Sequence, residues 1–510
     1  MSFKVFLVKA VLWIFYTDSL SADMSFDVVV YKATPAGISA AVSVKRLGKT
    51  VLILEPAKRV GGMMTNGLGA SDVCLFRYIG GFAREFFNKV GQKYGHSIFW
   101  RFEPKVSLAV FEEYLRDLPM LRKDISTVSI NNKKIASVTM EDGTEVRGKI
   151  FIDASYEGDL LAIAGASYRV SRESSMDYNE SLAGFRLSTR EGRILVKIKA
   201  RDGSGDLHFG VQNSQILPKG TAHHGIMAYN FRLCLTRIPS KKVRFRKPLI
   251  YNRKAYHLHL QYIEKNGIRN VSQLFRFLRI PGGKYDLNNR GPFSSNFIGE
   301  NWDYPEANKA NRKMIVAKHK SYLQGLLYFL ANDPAVPFPL RRQMSQFGLC
   351  RDEFVENGNW PEQLYVRVGR RLVGEYVLRQ DDIRKGRRHH DTVGIGTCPI
   401  EGHIVQRLED ANGFVISEGF IREFKQIPYS LPYRIIIPKR DEVQNLLVPV
   451  AVSATYIAYS ALRMEPTFMI LGQSAGIAAV LAIDSKVPVQ EVSYLKLRQK
   501  LIEAGQRLSF

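Results

Sequence analysis

The sequence predicts an α/β protein whose first folded unit is a parallel βαβ nucleotide-binding module. Three observations carry this. Residues 26–31 (FDVVVY) are an apolar, β-branched run of the kind that forms a buried parallel strand. After the turn Lys32-Ala33-Thr34-Pro35-Ala36-Gly37, residues 38–47 (ISAAVSVKRL) read as a helix with an Ala-rich packing face, ended by Gly48. Residues 50–54 (TVLIL) form a second strand closed by Glu55, 18 residues beyond Gly37. An acid there accepts hydrogen bonds from a ribose, while the helix N-terminus meets a pyrophosphate.

The turn departs from the usual GxGxxG pattern. With Gly37 as its third glycine, Lys32 and Thr34 occupy the first and second positions. The first glycine normally permits a tight turn and the second a close approach of phosphate. Thr34 is small and has a hydroxyl to donate; Lys32 has an ammonium to hold phosphate. The segment Arg59-Val60-Gly61-Gly62-Met63-Met64-Thr65 then follows the acid. Its glycine pair lets the backbone pass close under a second phosphate or a ribitol. The order strand, turn, helix, strand, acid, RxGG is a flavin-adenine rather than a nicotinamide arrangement. The Gly-rich loop 65–70 (TNGLGA) is placed to run along a flavin.

Three strand patterns follow, at 125–130, 135–140 and 146–152, separated by Asn131-Asn132 and Asp142-Gly143. They predict a β-meander whose last strand (149–155, KIFIDAS) returns Asp153-Ala154 to the nucleotide site. Residues 170–430 are rich in aromatics and Arg, with one amphipathic helix at 316–330 and no internal repeat. That composition suits a polar, carbohydrate-like substrate. Near the end, 445–450 (NLLVPV) reads as a buried strand. Residues 468–482 read as a small-residue helix with Gly472 and Gly476. Its N-terminal amides are expected to face the anionic edge of a reduced flavin.

Composition narrows the classes. The chain has 510 residues, 45% hydrophobic and 24% charged, which excludes a disordered chain, a collagen-like repeat and a small disulfide scaffold. At about 150 residues per domain, the length predicts two to four domains. Cys74, Cys234, Cys350 and Cys398 lie far apart with no CxxC, so neither a zinc site of usual spacing nor a disulfide-reductase motif is expected. They can include a redox thiol. His223-His224 and His257-x-His259 lack a third ligand, and no metal is expected. The net charge is +25, densest at 237–254 and 384–390. Such charge attracts nucleic acid, anionic membrane or anionic small molecules. No nucleic-acid module is recognisable, so no specific nucleic-acid partner is expected.

Residues 1–23 resemble a secretory signal peptide with cleavage near Ala22, which predicts a periplasmic or secreted protein. Met-Ser-Phe occurs at 1 and again at 24, and a start at Met24 would make the protein cytoplasmic. After the leader no run reads as apolar and long enough for a transmembrane span.

The stretches 28–69, 151–174, 291–307, 352–377 and 445–484 together resemble the FAD-dependent oxidoreductases of a bacterial group loosely placed with xanthan lyases. The resemblance implies a Rossmann-like FAD-binding domain of the glutathione-reductase type, a parallel sheet plus β-meander. It would be built discontinuously from 25–165 and 430–510, with 166–429 inserted as an α+β substrate domain. Members usually carry Gly where Lys32 stands. The implied FAD contacts are Thr34, Pro35, Ala36, Gly37, Glu55, Arg59, Gly61, Gly62, Thr65, Asp153, Ala154 and a turn at Gly472-Gln473-Ser474-Ala475.

The expected chemistry is hydride transfer between a small polar substrate, anionic or sugar-derived, and non-covalent FAD. His403 is the candidate base, since an imidazole works near neutral pH. It lies in a segment resembling the family's Asp-Ser-His stretch, with Glu401-Gly402 in place of Asp-Ser. Tyr229, Arg232, Arg367 and Arg434 are candidates for holding the substrate. Two other readings are a degenerate FAD fold that binds an anionic partner without turnover, and a flavin enzyme acting on tRNA. The sequence leaves the electron acceptor open.

Overall fold

The structure is a computed structural model that describes residues 24–510; the leader expected at 1–23 lies outside the described residues. β1 (Met24–Tyr31), α1 (Pro35–Arg46) and β2 (Val51–Leu54) form the expected βαβ unit, with β1 and β2 parallel from Val28↔Val51 to Tyr31↔Leu54. All of β2 and the last four residues of β1 are buried, which accounts for their uniformly apolar sequence. β3 (Met120–Leu121) flanks β2. The meander β4 (Ile125–Asn131), β5 (Lys134–Met140) and β6 (Glu145–Asp153) follows as expected. β6 pairs antiparallel with β5 over its first residues and parallel with β1 along its length. β1 starts ahead of its apolar run because Met24 and Ser25 pair with Val146 and Arg147 of β6.

A second, antiparallel sheet lies in the central part of the chain. Its strands are β7 (Leu233–Thr236), β8 (Lys242–Val243), β9 (Phe275–Ile280), β10 (Lys284–Asn289) and β11 (Gly348–Cys350), in the order β9-β10-β7-β11-β8. The helix expected at 316–330 is longer: α2 spans Lys309–Asn332, and the Asn308 side chain caps it by accepting from the Asn311 amide.

The chain then returns to the first sheet. β12 (Leu446–Leu447) adds parallel to Phe151 and Ile152 of β6. α3 (Glu465–Ser485) packs across α1. A β-carbon on Gly472 would lie 2.2 Å from the Ala36 carbonyl oxygen, and one on Gly476 2.4 Å from that of Ala40. These two glycines therefore set the closeness of the helix crossing and fix the N-terminus of α1. α3 is the one described helix long and apolar enough to cross a membrane, and it is buried inside the protein.

Candidate active site

The βαβ turn opens on a groove of about 230 Å³, lined from the front by Lys32, Thr34, Glu55, Arg59, Gly62 and Asn66 and from the central region by Tyr304, Glu362 and Gln363. Lys32 stands where a glycine is usual and takes a glycine's conformation, φ +74°. For an L side chain that conformation costs roughly 1–2 kcal/mol. Its ammonium turns to Asp124 at 3.6 Å and lies over the Tyr31 ring. The Thr34 hydroxyl is not free for phosphate as expected: it donates to the Ala154 carbonyl (2.8 Å) and accepts from the Gly37 amide (3.3 Å), capping α1.

Glu55 is buried at the end of β2. Its two oxygens take one backbone amide each, Ala33 at 2.8 Å and Ala57 at 2.9 Å. Each oxygen keeps a lone pair for a ribose hydroxyl. Desolvation pushes this carboxyl up, opposed by Lys32. Gly61 and Gly62 take φ +86° and +51°. A β-carbon on Gly62 would lie 2.3 Å from the Tyr156 hydroxyl and 3.0 Å from Pro35 Cδ, so the glycine backbone runs tightly against the start of α1. Arg59 donates to the Thr65 carbonyl (2.7 Å), pairs with Glu356 (2.7 Å) and lies over the Phe354 ring. This donor set and glycine cradle fit the ribose and diphosphate of FAD.

Other expected contacts brace the cradle from behind. The Thr65 hydroxyl closes its own loop onto the Val60 carbonyl (2.5 Å). The Asp153 carboxylate accepts from the Ser155 amide and hydroxyl and from the Leu161 amide (2.7 Å); burial pushes it up to about 6. The turn that the resemblance implies at Gly472-Gln473-Ser474-Ala475 is the interior of α3, the helix read at 468–482, and Gly472 serves a close helix crossing. Gln473 accepts from the Phe82 amide and the Gln506 side chain, and Ser474 donates back to Ile470. These side chains are spent on packing.

A second polar cluster lies beyond the Gly-rich loop. Gly67 (φ +101°) presses that loop onto Arg232, whose carbonyl oxygen would lie 1.9 Å from a β-carbon there. Arg232 donates from Nε and Nη2 to Asp286 of β10, at 2.9 and 2.5 Å, and Asp286 also accepts the Ala70 amide (3.0 Å). Arg232 therefore ties the loop to the second sheet rather than presenting a free cation. The Tyr229 hydroxyl is likewise spent, on the Val368 carbonyl. Arg434 pairs with Asp391 (3.0 Å) and lies over Tyr376, outside this cluster. Among the residues expected to hold a substrate, Arg367 alone keeps charge to offer.

Arg367 is 1% exposed and, among the described residues, has no carboxylate within 4.0 Å. It donates to the Ala228 carbonyl, Asn289 Oδ1 (3.3 Å) and Asn296 Oδ1 (3.1 Å), while its Nε has no acceptor. Burial, then Arg463, pulls its pKa down to about 9. Arg463 donates to the Tyr365 hydroxyl (3.2 Å) and the Glu401 carbonyl (3.0 Å), and its Nε also lacks an acceptor. His403 is buried beside them. Because Asn289 Oδ1 receives Arg367, its Nδ2 faces His403 Nδ1 at 3.5 Å. Nδ1 then accepts, and the ring proton sits on Nε2. Burial, then Arg367, Arg463 and Arg232, holds the imidazole well below its ordinary range, so it is neutral near pH 7.

Several residues here escaped the sequence reading. Asp72 follows the Gly-rich loop and reaches solvent, yet desolvation raises its carboxyl against the pull of Arg232 and Arg463. Cys74 and Cys398 form a disulfide that joins the segment bearing Asp72 to the one bearing His403. Their separation of 324 residues hid the pairing. Glu465, at the N-terminus of α3, receives the Tyr156 hydroxyl at 2.6 Å; its other oxygen is buried without a donor, and burial pushes it up to about 8. The carboxylates of Glu103, Asp352 and Glu353 converge, and Lys284 Nζ pairs with all three at 2.7, 2.9 and 2.6 Å.

The parallel sheet with its meander and glycine cradle defines a flavin-dependent oxidoreductase. The chain matches the family model described as FAD dependent oxidoreductase over residues 27–501 and belongs to that family; FAD is its cofactor. It is similar to solved structures of GidA from Aquifex aeolicus (16% identity, 26% of this chain and 25% of that one, TM-score 0.20) and a flavin-containing monooxygenase from Stenotrophomonas maltophilia (19%, 30% and 44%, 0.20). L-proline dehydrogenase from P. horikoshii is a third (13%, 30% and 59%, 0.24). The chain thus spans between a quarter and three-fifths of the length of these structures. No curated protein matches it.

Proposed function

We propose that the protein oxidises a small hydroxylated anion, a carboxylate-bearing alcohol of the sugar-acid kind, with non-covalently held FAD. The observation that carries this is Arg367, a buried guanidinium with no carboxylate partner beside a neutral His403. A buried cation is costly unless a counter-charge arrives. A substrate carboxylate supplies one, and Arg367 and Arg463 each keep an unpaired Nε to meet it.

Glu55, Arg59 and the Gly61-Gly62 backbone would hold the adenosine and diphosphate of FAD, which when bound supplies the hydride acceptor. Asp72 takes the hydroxyl proton. It is an exposed carboxyl close enough to feel Arg232 and Arg463, and desolvation raises it, which favours proton uptake. With hydride leaving carbon and the proton leaving oxygen, the alcohol becomes a carbonyl. His403 donates from Nε2 to the substrate oxygen, so in this reading Asp72 takes the base role expected of His403. The Cys74–Cys398 bridge supports an exported, oxidising setting.

Anaerobic bleaching of the flavin by hydroxy-carboxylates, against neutral polyols of matched size, tests the reading. Bleaching by the acids alone supports it, and bleaching by the polyols alone contradicts it.

A further inference from the structure

The basic segment at 237–254 has no part in the site described above. It crosses the outside of α2 and ends in an apolar tip. Leu249 is 106% exposed and Ile250 81%, directly after Pro248. The Ile250 carbonyl accepts the Ser321 hydroxyl of α2 at 2.7 Å, which holds the tip over that helix. Met314 on α2 is 57% exposed and Phe209 42%. Ile250, Met314 and Phe209 line one apolar cavity of about 500 Å³, floored by Phe297 and Tyr322. Single exposed apolar residues are ordinary on a protein surface, but a contiguous set is not.

Cations precede and follow this tip along the chain and stand on the adjoining helix. Lys241, Arg244, Arg246, Lys247 and Lys254 are exposed along the segment, as are Lys313 and Lys318 on α2. Arg253 is paired with Asp333, but among the described residues Arg244, Arg246 and Lys247 have no carboxylate partner within 4.0 Å. The acid facing the cavity is Glu300, with Lys318 acting on it.

We infer that this tip and the adjoining face of α2 dock on an anionic lipid bilayer. Leu249 and Ile250 enter the boundary between headgroups and acyl chains, and the surrounding Lys and Arg stems reach back to lipid phosphates. Charge complementarity alone would equally suit a nucleic acid. A nucleic acid, however, would leave Leu249 and Ile250 in water, whereas a bilayer covers both. The net charge of +25 adds long-range attraction to the same surface. This inference is independent of the substrate reading.

The test is co-sedimentation of the full-length protein with phosphatidylcholine vesicles, with and without phosphatidylglycerol. The comparison variant carries Leu249→Ser and Ile250→Ser, which leaves the charge unchanged and replaces two exposed side chains. Binding should require phosphatidylglycerol and weaken at least tenfold in the variant, with thermal unfolding and flavin absorbance unaltered. A second variant, Arg246→Glu with Lys247→Glu, should also weaken it at least tenfold. Equal binding of wild type and the Ser variant would mean charge attraction only and would overturn the inference. So would equal binding to pure phosphatidylcholine, no binding to either vesicle, or displacement from vesicles by RNA.

Discussion

The carbonyl oxygen of Lys32 lies 2.0 Å from the point that a β-carbon on Gly37 would occupy. The turn and the first residues of α1 are thus packed backbone to backbone, and this contact is kept although Lys32 stands in a glycine's place. The glycine pattern is broken in sequence but kept in geometry, since Lys32 takes the left-handed conformation itself.

Two substitutions separate packing from strain. Gly37→Ala forces its methyl into backbone that cannot give, and overpacking of this kind costs about 1–3 kcal/mol. It should lower the melting temperature and the FAD content of the purified protein together. Lys32→Gly relieves the left-handed conformation and loses a long, partly exposed contact to Asp124 and a cation–ring contact with Tyr31. Such contacts contribute about 0–1 kcal/mol. Calorimetry should find Lys32→Gly equal to wild type or more stable, and Lys32→Ala less stable than Lys32→Gly.

The buried arginines Arg232 and Arg367 should respond unequally. Arg232→Leu strands Asp286 in the interior, and breaking a buried pair costs about 3–5 kcal/mol. Arg367→Gln removes a cation that has no counter-charge, so its lost hydrogen bonds are offset by relief of desolvation. In urea unfolding, Arg232→Leu should lose far more stability than Arg367→Gln. Equal losses would mean that Arg367 is a structural cation like Arg232.

Glu465 gives the stability a pH signature. Its carboxyl rises from 4.5 to about 8 on folding, because burial disfavours the charge. Between those values the native state keeps a proton that the unfolded chain releases. Stability therefore falls as pH rises from 4.5 to about 8, and levels off above. Glu465→Gln removes this dependence. Melting curves should show the variant more stable than wild type at pH 8 and the two converging near the lower end of that window.

Much of the architecture was legible because it rests on local patterns. The apolar second half of β1 and all of β2, the meander turns at Asn131-Asn132 and Asp142-Gly143, and the helical face around Leu323 all declare themselves within a few residues. The positions of Glu55 at the end of β2 and of Gly61-Gly62 after it were legible for the same reason, since both follow from local sequence order. What stayed hidden depends on distant partners. Nothing around Arg232 reveals that Asp286 occupies it, or that Cys398 reaches Cys74. The helix at 468–482 was legible from its small residues, whereas the turn at Gly472 came from the resemblance alone and is not present. Asp72 was missed because a lone acid after a Gly-rich loop has no local pattern to mark it.

The most direct test of the anion site is an absorbance titration of the flavin-loaded protein with a small, unreactive carboxylate. Wild type should shift its flavin band near about 450 nm in a saturable way. Arg367→Gln, with its flavin retained, should need at least tenfold more ligand. An identical response from both proteins, or a response of wild type to a neutral polyol but not to the carboxylate, would contradict the account.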